Sequence, residues 1–230
     1  VEPITQVKTI AVVGAGPAGL AAATTAARRG HKVTLFDQAS LIGGQFNLAK
    51  RIPGKEEFVE TLRYFEKQIE RYQVILKLGV RVTPEQLHAD GFDEVILATG
   101  VTPRQPKIDG IDHPKVVSYV DVLEGKVEVG QKVALIGAGG IGFDVSEFLL
   151  HESVDPTPDP DHPSPDAFFR MWGVDTDLNR PGGVEGLAPN FPKSAREIWL
   201  LQRKKSKLGA SLGKTTGWIH RTSLKGHGVH

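Results

Sequence analysis

Cysteine is absent from this 230-residue chain. Without it, the chain supplies no disulfide, no thiolate ligand for a metal or iron–sulfur cluster, and no thiol nucleophile. The eight histidines show no HExxH or similar metal-binding spacing, so no metal site is predicted. The absence of cysteine also fits a reducing compartment, and we expect a cytoplasmic protein.

Signals for membranes and nucleic acids are equally scarce. No apolar run approaches the roughly 20 residues of a membrane span, and Val1 to Lys8 lack the zones of a signal peptide. The net charge is +1, with 40% hydrophobic and 24% charged residues, which is typical of a globular protein without a nucleic-acid partner. Because no methionine begins the chain, we expect a piece of a longer polypeptide.

Apolar β-branched runs alternate with helical patterns, which predicts an α/β fold with parallel strands. In the first half the predicted elements are the strand Thr9–Val13, the helix Pro17–Arg29, the strand Lys32–Phe36, the amphipathic helix Lys55–Tyr72 and the strand Asp93–Ala98. In the second half they are the strand Lys132–Ile136, the helix Gly140–Leu150 and the strand Glu197–Leu201.

The second half repeats the first. Residues 10–16 (IAVVGAG) align with residues 133–139 (VALIGAG), each ending a strand and opening a helix. The repeat predicts two Rossmann-like dinucleotide-binding domains, residues 1–125 and 126–230, each with its own nucleotide. A proline-rich insertion, residues 151–193, holds eight of the fifteen prolines. We expect a loop at its start and a short helix around Phe168, Phe169, Met171 and Trp172.

The first glycine loop has the GxGxxG spacing between a strand and a helix. Gly14 permits a tight turn, Gly16 lets the backbone approach a pyrophosphate, and Gly19 lets helix and strand pack closely. The helix then presents its N–H groups to the phosphates. Asp37 ends the following strand, where a carboxylate accepts hydrogen bonds from ribose hydroxyls. This order of features predicts a nucleotide site rather than a structural turn.

The second glycine loop lies between a strand and a helix like the first, but different residues follow its second strand. Its residues are Gly137, Gly139, Gly140, Ile141 and Gly142. No carboxylate follows its second strand, and Arg203 with Lys204 stands there instead. Cations pair with a 2′-phosphate that a carboxylate would repel, so the pattern favours NADPH over NADH. Lys214 adds nearby positive charge. The alternative is that these are solvated surface cations.

Three motifs of the first half, residues 12–20, 41–45 and 98–100, resemble the FAD half of the flavin-dependent pyridine-nucleotide oxidoreductases. The resemblance implies that the first loop holds FAD, and it leaves Arg51 and Arg104 evenly divided between flavin contact and a surface role. The other residues implied to contact FAD are Gly14, Gly16, Pro17, Ala18, Gly19, Asp37, Gln38, Gly44, Gln45, Val82, Ala98, Thr99 and Gly100.

A narrower resemblance joins residues 43–47, 52–58, 106–114 and 213–221 to the bacterial NADPH-dependent 2,4-dienoyl-CoA reductases of fatty acid β-oxidation. It implies an upstream barrel with FMN, cysteines that ligate a 4Fe–4S cluster, and an FAD domain that resumes after the NADPH domain. From it we expect a fragment with an incomplete FAD site. Related enzymes that act on amines or enoates share this architecture.

The predicted activity is hydride transfer from NADPH to FAD, which needs positioning of the two cofactors rather than an acid, base or nucleophile. No catalytic side chain is therefore named, and His220 is expected to pack. The lack of cysteine excludes a disulfide reductase. A flavin monooxygenase is disfavoured because its characteristic Phe/His/Trp signature is missing. A nucleotide-binding or electron-transfer module that is inactive alone remains open.

Overall fold

The computed structural model describes residues 4–151, 165–177 and 187–230. The chain divides into two compact units, Val1–Lys50 with Lys55–Val116 and Arg51–Gly54 with Val117–His230. No helix in these described ranges is both long and apolar enough to span a lipid bilayer.

The first unit is built on a four-stranded parallel sheet in the order β3-β2-β1-β4. Its elements along the chain are β1 Thr9–Val13, α1 Pro17–Arg28, β2 Lys32–Phe36, α2 Phe46–Ala49, α3 Phe58–Arg71, β3 Ile75–Lys77, α4 Pro84–Ala89 and β4 Glu94–Leu97. Parallel pairing places the carboxyl ends of β1, β2 and β4 at one edge, which is where ligands bind in such sheets.

Helix α1 covers the sheet of the first unit. Val12 of β1, Leu20 of α1 and Leu35 of β2 are fully buried in one cluster, together with Ile69 of α3. Full burial of a leucine or valine side chain contributes about 1.5–3 kcal/mol relative to exposure. This cluster holds the start of α1 against the carboxyl edge of the sheet.

The amino ends of β1 and β4 are joined by the side chain of Asp93. Its Oδ2 accepts hydrogen bonds from the Thr9 N–H and the Thr9 hydroxyl, both at 2.7 Å. The backbone hydrogen bond and then the hydroxyl hydrogen bond hold the pKa of Asp93 below its ordinary value. The side chain therefore fixes the relative register of two strands whose other ends flank the first glycine loop.

The second unit pairs two strands in parallel, with Lys132 of β5 opposite Glu197 of β6. Its elements are α5 Tyr119–Leu123, β5 Lys132–Ile136, α6 Gly140–Leu150, α7 Pro165–Trp172, β6 Glu197–Leu201 and α8 Gly217–Gly226. His230 exchanges backbone hydrogen bonds with Ile198 and Leu200 on the free side of β6. Phe143, Leu200 and Leu224 form the centre of its core.

The α/β class with parallel sheets is confirmed, and most predicted elements match closely. The strands β1, β2, β5 and β6 and the helix α6 have the predicted bounds. Helix α3 begins at Phe58 rather than Lys55, because the first three N–H groups bond to carbonyls three residues back. The helix expected near Phe168 is α7. Residues 152–164, which include the loop expected at the start of the insertion, and residues 178–186 lie outside the described residues.

In each unit the helix that follows the glycine loop, α1 or α6, packs onto the strand-to-helix turn through one glycine. A methyl group on Gly19 would lie 1.7 Å from the carbonyl oxygen of Gly14, and one on Gly142 would lie 1.9 Å from that of Gly137. Neither distance allows a side chain. The helix can therefore approach the turn this closely only because both positions are glycine.

We predict opposite effects for two glycine-to-alanine changes in α6. Gly142→Ala must move backbone, and such overpacking costs about 1–3 kcal/mol. Gly140→Ala is the matched control, since a methyl group there has no heavy atom within 4 Å. Alanine is better than glycine in a helix by up to about 1 kcal/mol, so the control should hold or raise the melting temperature. Equal melting temperatures for the two variants in a thermal unfolding series would contradict this packing.

Candidate functional site

The tight turn of the glycine loop is built the same way in both units. Gly14 and Gly137 have φ angles of +109° and +124°, which side chains rarely adopt. The Gly14 N–H donates to the carbonyl of Phe36 at 2.7 Å, and the Gly137 N–H donates to that of Leu201 at 2.8 Å. Each bond joins the turn to the last residue of the second strand. It therefore fixes the position of the turn relative to the end of that strand in the same way in both units.

A second glycine-bearing loop crosses each turn. The Gly43 N–H donates to the carbonyl of Ala15 at 2.8 Å, and the Gly209 N–H donates to that of Ala138 at 3.3 Å. Both donors have positive φ angles, +113° and +66°. The duplication therefore extends beyond the strand–turn–helix unit to the loop that follows the second strand.

The helices that leave the two turns are uncapped at their amino ends. Four helices in the described ranges start from an extended N-cap residue. Thr83 and Ser118 cap α4 and α5 with their hydroxyls, whereas Gly16 and Gly139 leave α1 and α6 without a side-chain cap. The first N–H groups of a helix have no partner inside it and attract anions. Both helix starts are therefore suited to a phosphate.

The first turn is further enclosed by the segment after β4. A methyl group on Gly14 would lie 2.2 Å from the carbonyl oxygen of Ala98 and 3.2 Å from the Cα of Thr99. The Ala98 N–H donates to the carbonyl of Val13 at 2.8 Å, and Gly100 turns the chain with a φ of +73°. In the second unit the same position on Gly137 is open.

The Gly-Gly element of the first unit faces the glycine loop directly. A methyl group on Gly44 would lie 3.0 Å from the Cα of Gly16, so backbone meets backbone there. The adjacent Gln45 donates from Nε2 to the carbonyl of Val101 at 3.4 Å. The structure thus brings together the three motifs that the sequence singled out for FAD, around residues 16, 44 and 100.

Asp37 lies at the mouth of the first turn. Its Oδ2 accepts from the Ala15 N–H at 2.6 Å, and its Oδ1 accepts from the Ala39 N–H at 2.7 Å. Each carboxylate oxygen has two lone pairs, so both can accept a further hydrogen bond. Asp37 is half-buried, which leaves the carboxylate reachable by a ligand at the turn.

A cation run follows the second strand of the second unit. Arg203, Lys204 and Lys205 are all exposed, and within the described chain no ion pair joins Arg203 or Lys204 to a carboxylate. The side chain before them, Gln202, donates from Nε2 to the carbonyls of Lys204, at 2.9 Å, and Ser206. An anion could therefore contact these cations without displacing a carboxylate partner.

The remaining predicted residues are more scattered. Pro17 is the first residue of α1, and Val82 is half-buried just before α4. Arg51 has a buried Nε without a hydrogen-bond partner in the described chain, and it belongs to the second unit rather than the first. Among these remaining residues, the exposed ones are Ala18, Gln38, Arg104, Ile141 and Lys214.

The contacts of three residues at the two glycine loops were not predicted from the sequence. The Ala15 N–H donates to the Asp37 carboxylate, Gly209 crosses the second turn, and Gln202 bonds across the cation run. Alignment of the two repeats beyond their glycine loops would have placed Gln202 opposite Asp37. No local signal marks the contacts of Ala15 and Gly209, because each backbone N–H bonds to a residue that is distant in the sequence.

The comparisons with known proteins agree with this architecture. A family model described as pyridine nucleotide-disulphide oxidoreductase matches residues 8–155. An NADH oxidase from Thermoanaerobacter brockii is 37% identical over 149 residues, which is 63% of this chain and 23% of that protein. A cinnamate reductase from Clostridium sporogenes is 37% identical over 157 residues, covering 66% and 23% respectively.

Solved structures extend the similarity to nearly the whole chain. The structure of a 2-naphthoyl-CoA reductase in complex with 2-naphthoyl-CoA is 27% identical, with a TM-score of 0.77, and the match covers 99% of this chain and 28% of that one. The chain thus spans about a quarter of the length of these relatives. With a family model matched over more than half of its residues, and with both glycine loops in place, the chain belongs to the pyridine nucleotide-disulphide oxidoreductase family.

Proposed function

We propose that this chain is a module of a flavin-dependent oxidoreductase, with FAD at the first glycine loop and NADPH at the second. The observation that carries the proposal is that one backbone arrangement occurs twice with different side chains at its mouth. A carboxylate, Asp37, stands at the first, and two exposed cations that form no ion pair within the described residues, Arg203 and Lys204, follow the second.

The first loop suits the adenosine diphosphate part of FAD. The uncapped start of α1 offers N–H groups to the pyrophosphate, and the glycine contact between residues 16 and 44 lets two backbones approach it. The Asp37 carboxylate has lone pairs left for ribose hydroxyls. The family model covers this loop, the Gly-Gly element and the segment through Gly100.

The second loop suits a nicotinamide nucleotide with a 2′-phosphate. A carboxylate after the second strand binds the free 2′-hydroxyl of NADH, whereas arginine and lysine pair with the 2′-phosphate of NADPH. One similar protein is named an NADH oxidase, so relatedness alone does not choose between the two. The absence of a carboxylate at residue 202 and the exposed cations at 203 and 204 favour NADPH.

The protein's own residues bind and orient the cofactors, which themselves supply the hydride chemistry when bound. No side chain has to hold or move a proton for that transfer, which is consistent with a site built from glycine turns and helix starts. The rival proposal, a module that binds nucleotides without turnover, predicts the same binding contacts and differs only in electron transfer.

The resemblance to the 2,4-dienoyl-CoA reductases extends the proposal to a longer protein of which this chain would be one part. An upstream barrel with FMN and a 4Fe–4S cluster would receive the electrons and reduce a conjugated CoA thioester such as a 2,4-dienoyl-CoA. One similar structure holds a naphthoyl-CoA thioester and one similar protein is named for cinnamate. An amine or enoate substrate is the alternative for that missing part.

Flavin reduction tests the core proposal directly. With FAD added to the chain under anaerobic conditions, NADPH should bleach the visible flavin absorbance and then support reduction of an artificial acceptor. The control is the same mixture without protein. If both nucleotides bind but the flavin keeps its absorbance, the inert-module proposal is correct instead.

The double change Arg203→Ala with Lys204→Ala should weaken NADPH selectively. Hydrogen bonds to charged groups contribute about 1.5–3 kcal/mol, so we expect its dissociation constant to rise about tenfold or more while that for NADH stays within about twofold. The matched control is Arg28→Ala with Lys32→Ala, which removes the same charge from exposed sites in the first unit. Equal losses for NADPH and NADH would rule out a 2′-phosphate contact.

The change Asp37→Ala should weaken FAD and spare NADPH. Loss of hydrogen bonds between ribose and a charged acceptor is expected to cost about 1.5–3 kcal/mol of FAD binding. Calorimetric titration of the variant with each nucleotide separates this effect from a general loss of folding, because NADPH binding reports the intact second unit. An unchanged FAD affinity would remove Asp37 from the site.

A further inference from the structure

Gln202 stands in the second unit where Asp37 stands in the first. Phe36 and Leu201 end their strands, and their carbonyls accept the equivalent N–H groups of Gly14 and Gly137. The next residue in each copy is therefore at the same place beside the glycine turn. This equivalence comes from hydrogen bonds and does not depend on how the two sequences are aligned.

The two side chains make different contacts from that shared place. The carboxylate of Asp37 accepts a hydrogen bond from the glycine loop, at the Ala15 N–H. The amide of Gln202 bonds instead within its own loop, where Nε2 donates to the carbonyls of Lys204 and Ser206. Both partners are acceptors only, so the amide nitrogen rather than the oxygen must face them.

These two bonds draw the cation run into a closed loop. The chain bends at each residue from 203 to 206, and the two carbonyls converge on one nitrogen. The bonds restrict the backbone conformations that Arg203 and Lys204 can adopt in the absence of a ligand. A ligand that contacts these cations then loses less conformational entropy on binding, which is the advantage of preorganisation.

The residue type at 202 also decides which charge stands at the mouth of the turn. Glutamate there could not donate to either carbonyl when ionised, and its charge would repel a 2′-phosphate. Methionine has almost the same length and volume as glutamine but lacks both donors. These two replacements therefore separate the hydrogen bonds of Gln202 from its lack of charge.

We propose that Gln202 is a positioning residue for cofactor choice, which holds the Arg203–Ser206 loop in the conformation that receives a 2′-phosphate. This inference rests on the proposed NADPH site. Gln202 acts on the ligand through Arg203 and Lys204, so its removal should change how well those cations are placed without removing any of them.

The experiment measures dissociation constants of Gln202→Met and Gln202→Glu for NADPH and NADH, and for the paired probes 2′,5′-ADP and 5′-ADP. Loss of neutral hydrogen bonds of ordinary strength predicts about a fivefold weaker binding of NADPH and 2′,5′-ADP by Gln202→Met. Binding of NADH and 5′-ADP should be unchanged. Gln202→Glu should weaken the 2′-phosphate ligands further, in a manner that added salt reduces.

The control Gln131→Met makes the same chemical change at an exposed position of the second unit and should bind all four ligands normally. Equal weakening by Gln202→Met of the ligands with and without a 2′-phosphate would show a merely structural role and overturn the inference. If Arg203→Ala with Lys204→Ala is selective for NADPH but Gln202→Met changes nothing, the inference fails and the NADPH site stands. If neither variant is selective, both fail.

Discussion

The contact between a helix glycine and the carbonyl of the preceding turn is the constraint on which both units depend. Only a hydrogen fits between Gly19 and the Gly14 carbonyl, or between Gly142 and the Gly137 carbonyl. Because the helix lies so close to the turn, its uncapped start is held at the carboxyl edge of the sheet. There the N–H groups and the helix dipole favour a phosphate.

The difference in cofactor that we propose lies outside this shared backbone. The turn, the helix start and the crossing loop repeat with nearly the same hydrogen bonds. They are therefore suited to the pyrophosphate, which all dinucleotides have in common. The copies differ in the residue after the second strand, Asp37 or Gln202, in the charges beside it, and in the segment after β4 that encloses Gly14 while Gly137 stays open. A protein can therefore duplicate a phosphate site and assign the copies to different cofactors with few substitutions.

Many of the strands and helices could be predicted from the sequence, and the same physical reasons explain which ones could not. Buried parallel strands need continuous β-branched runs, and glycine turns need fixed spacing, so β1, β2, β5, β6 and α6 were predicted to the residue. The short strand β3 and the helices α2, α4 and α5 were not, because a single turn or a three-residue strand carries no clear periodicity.

The details of the site depend on tertiary contacts. The pairing of the Asp37 carboxylate with the Ala15 N–H and the crossing of Gly209 over Ala138 each join residues that are far apart in the sequence. Arg51 shows the same limit. It follows the Gly-Gly element in sequence, yet it belongs to the second compact unit.

The central claim is that the chain holds two independent dinucleotide sites of different preference. Binding stoichiometry tests it most directly, with calorimetric titration of FAD and of NADPH, each alone and each against protein saturated with the other. The account predicts one equivalent of each nucleotide and no competition between them. Mutual displacement of FAD and NADPH from a single shared site would contradict it.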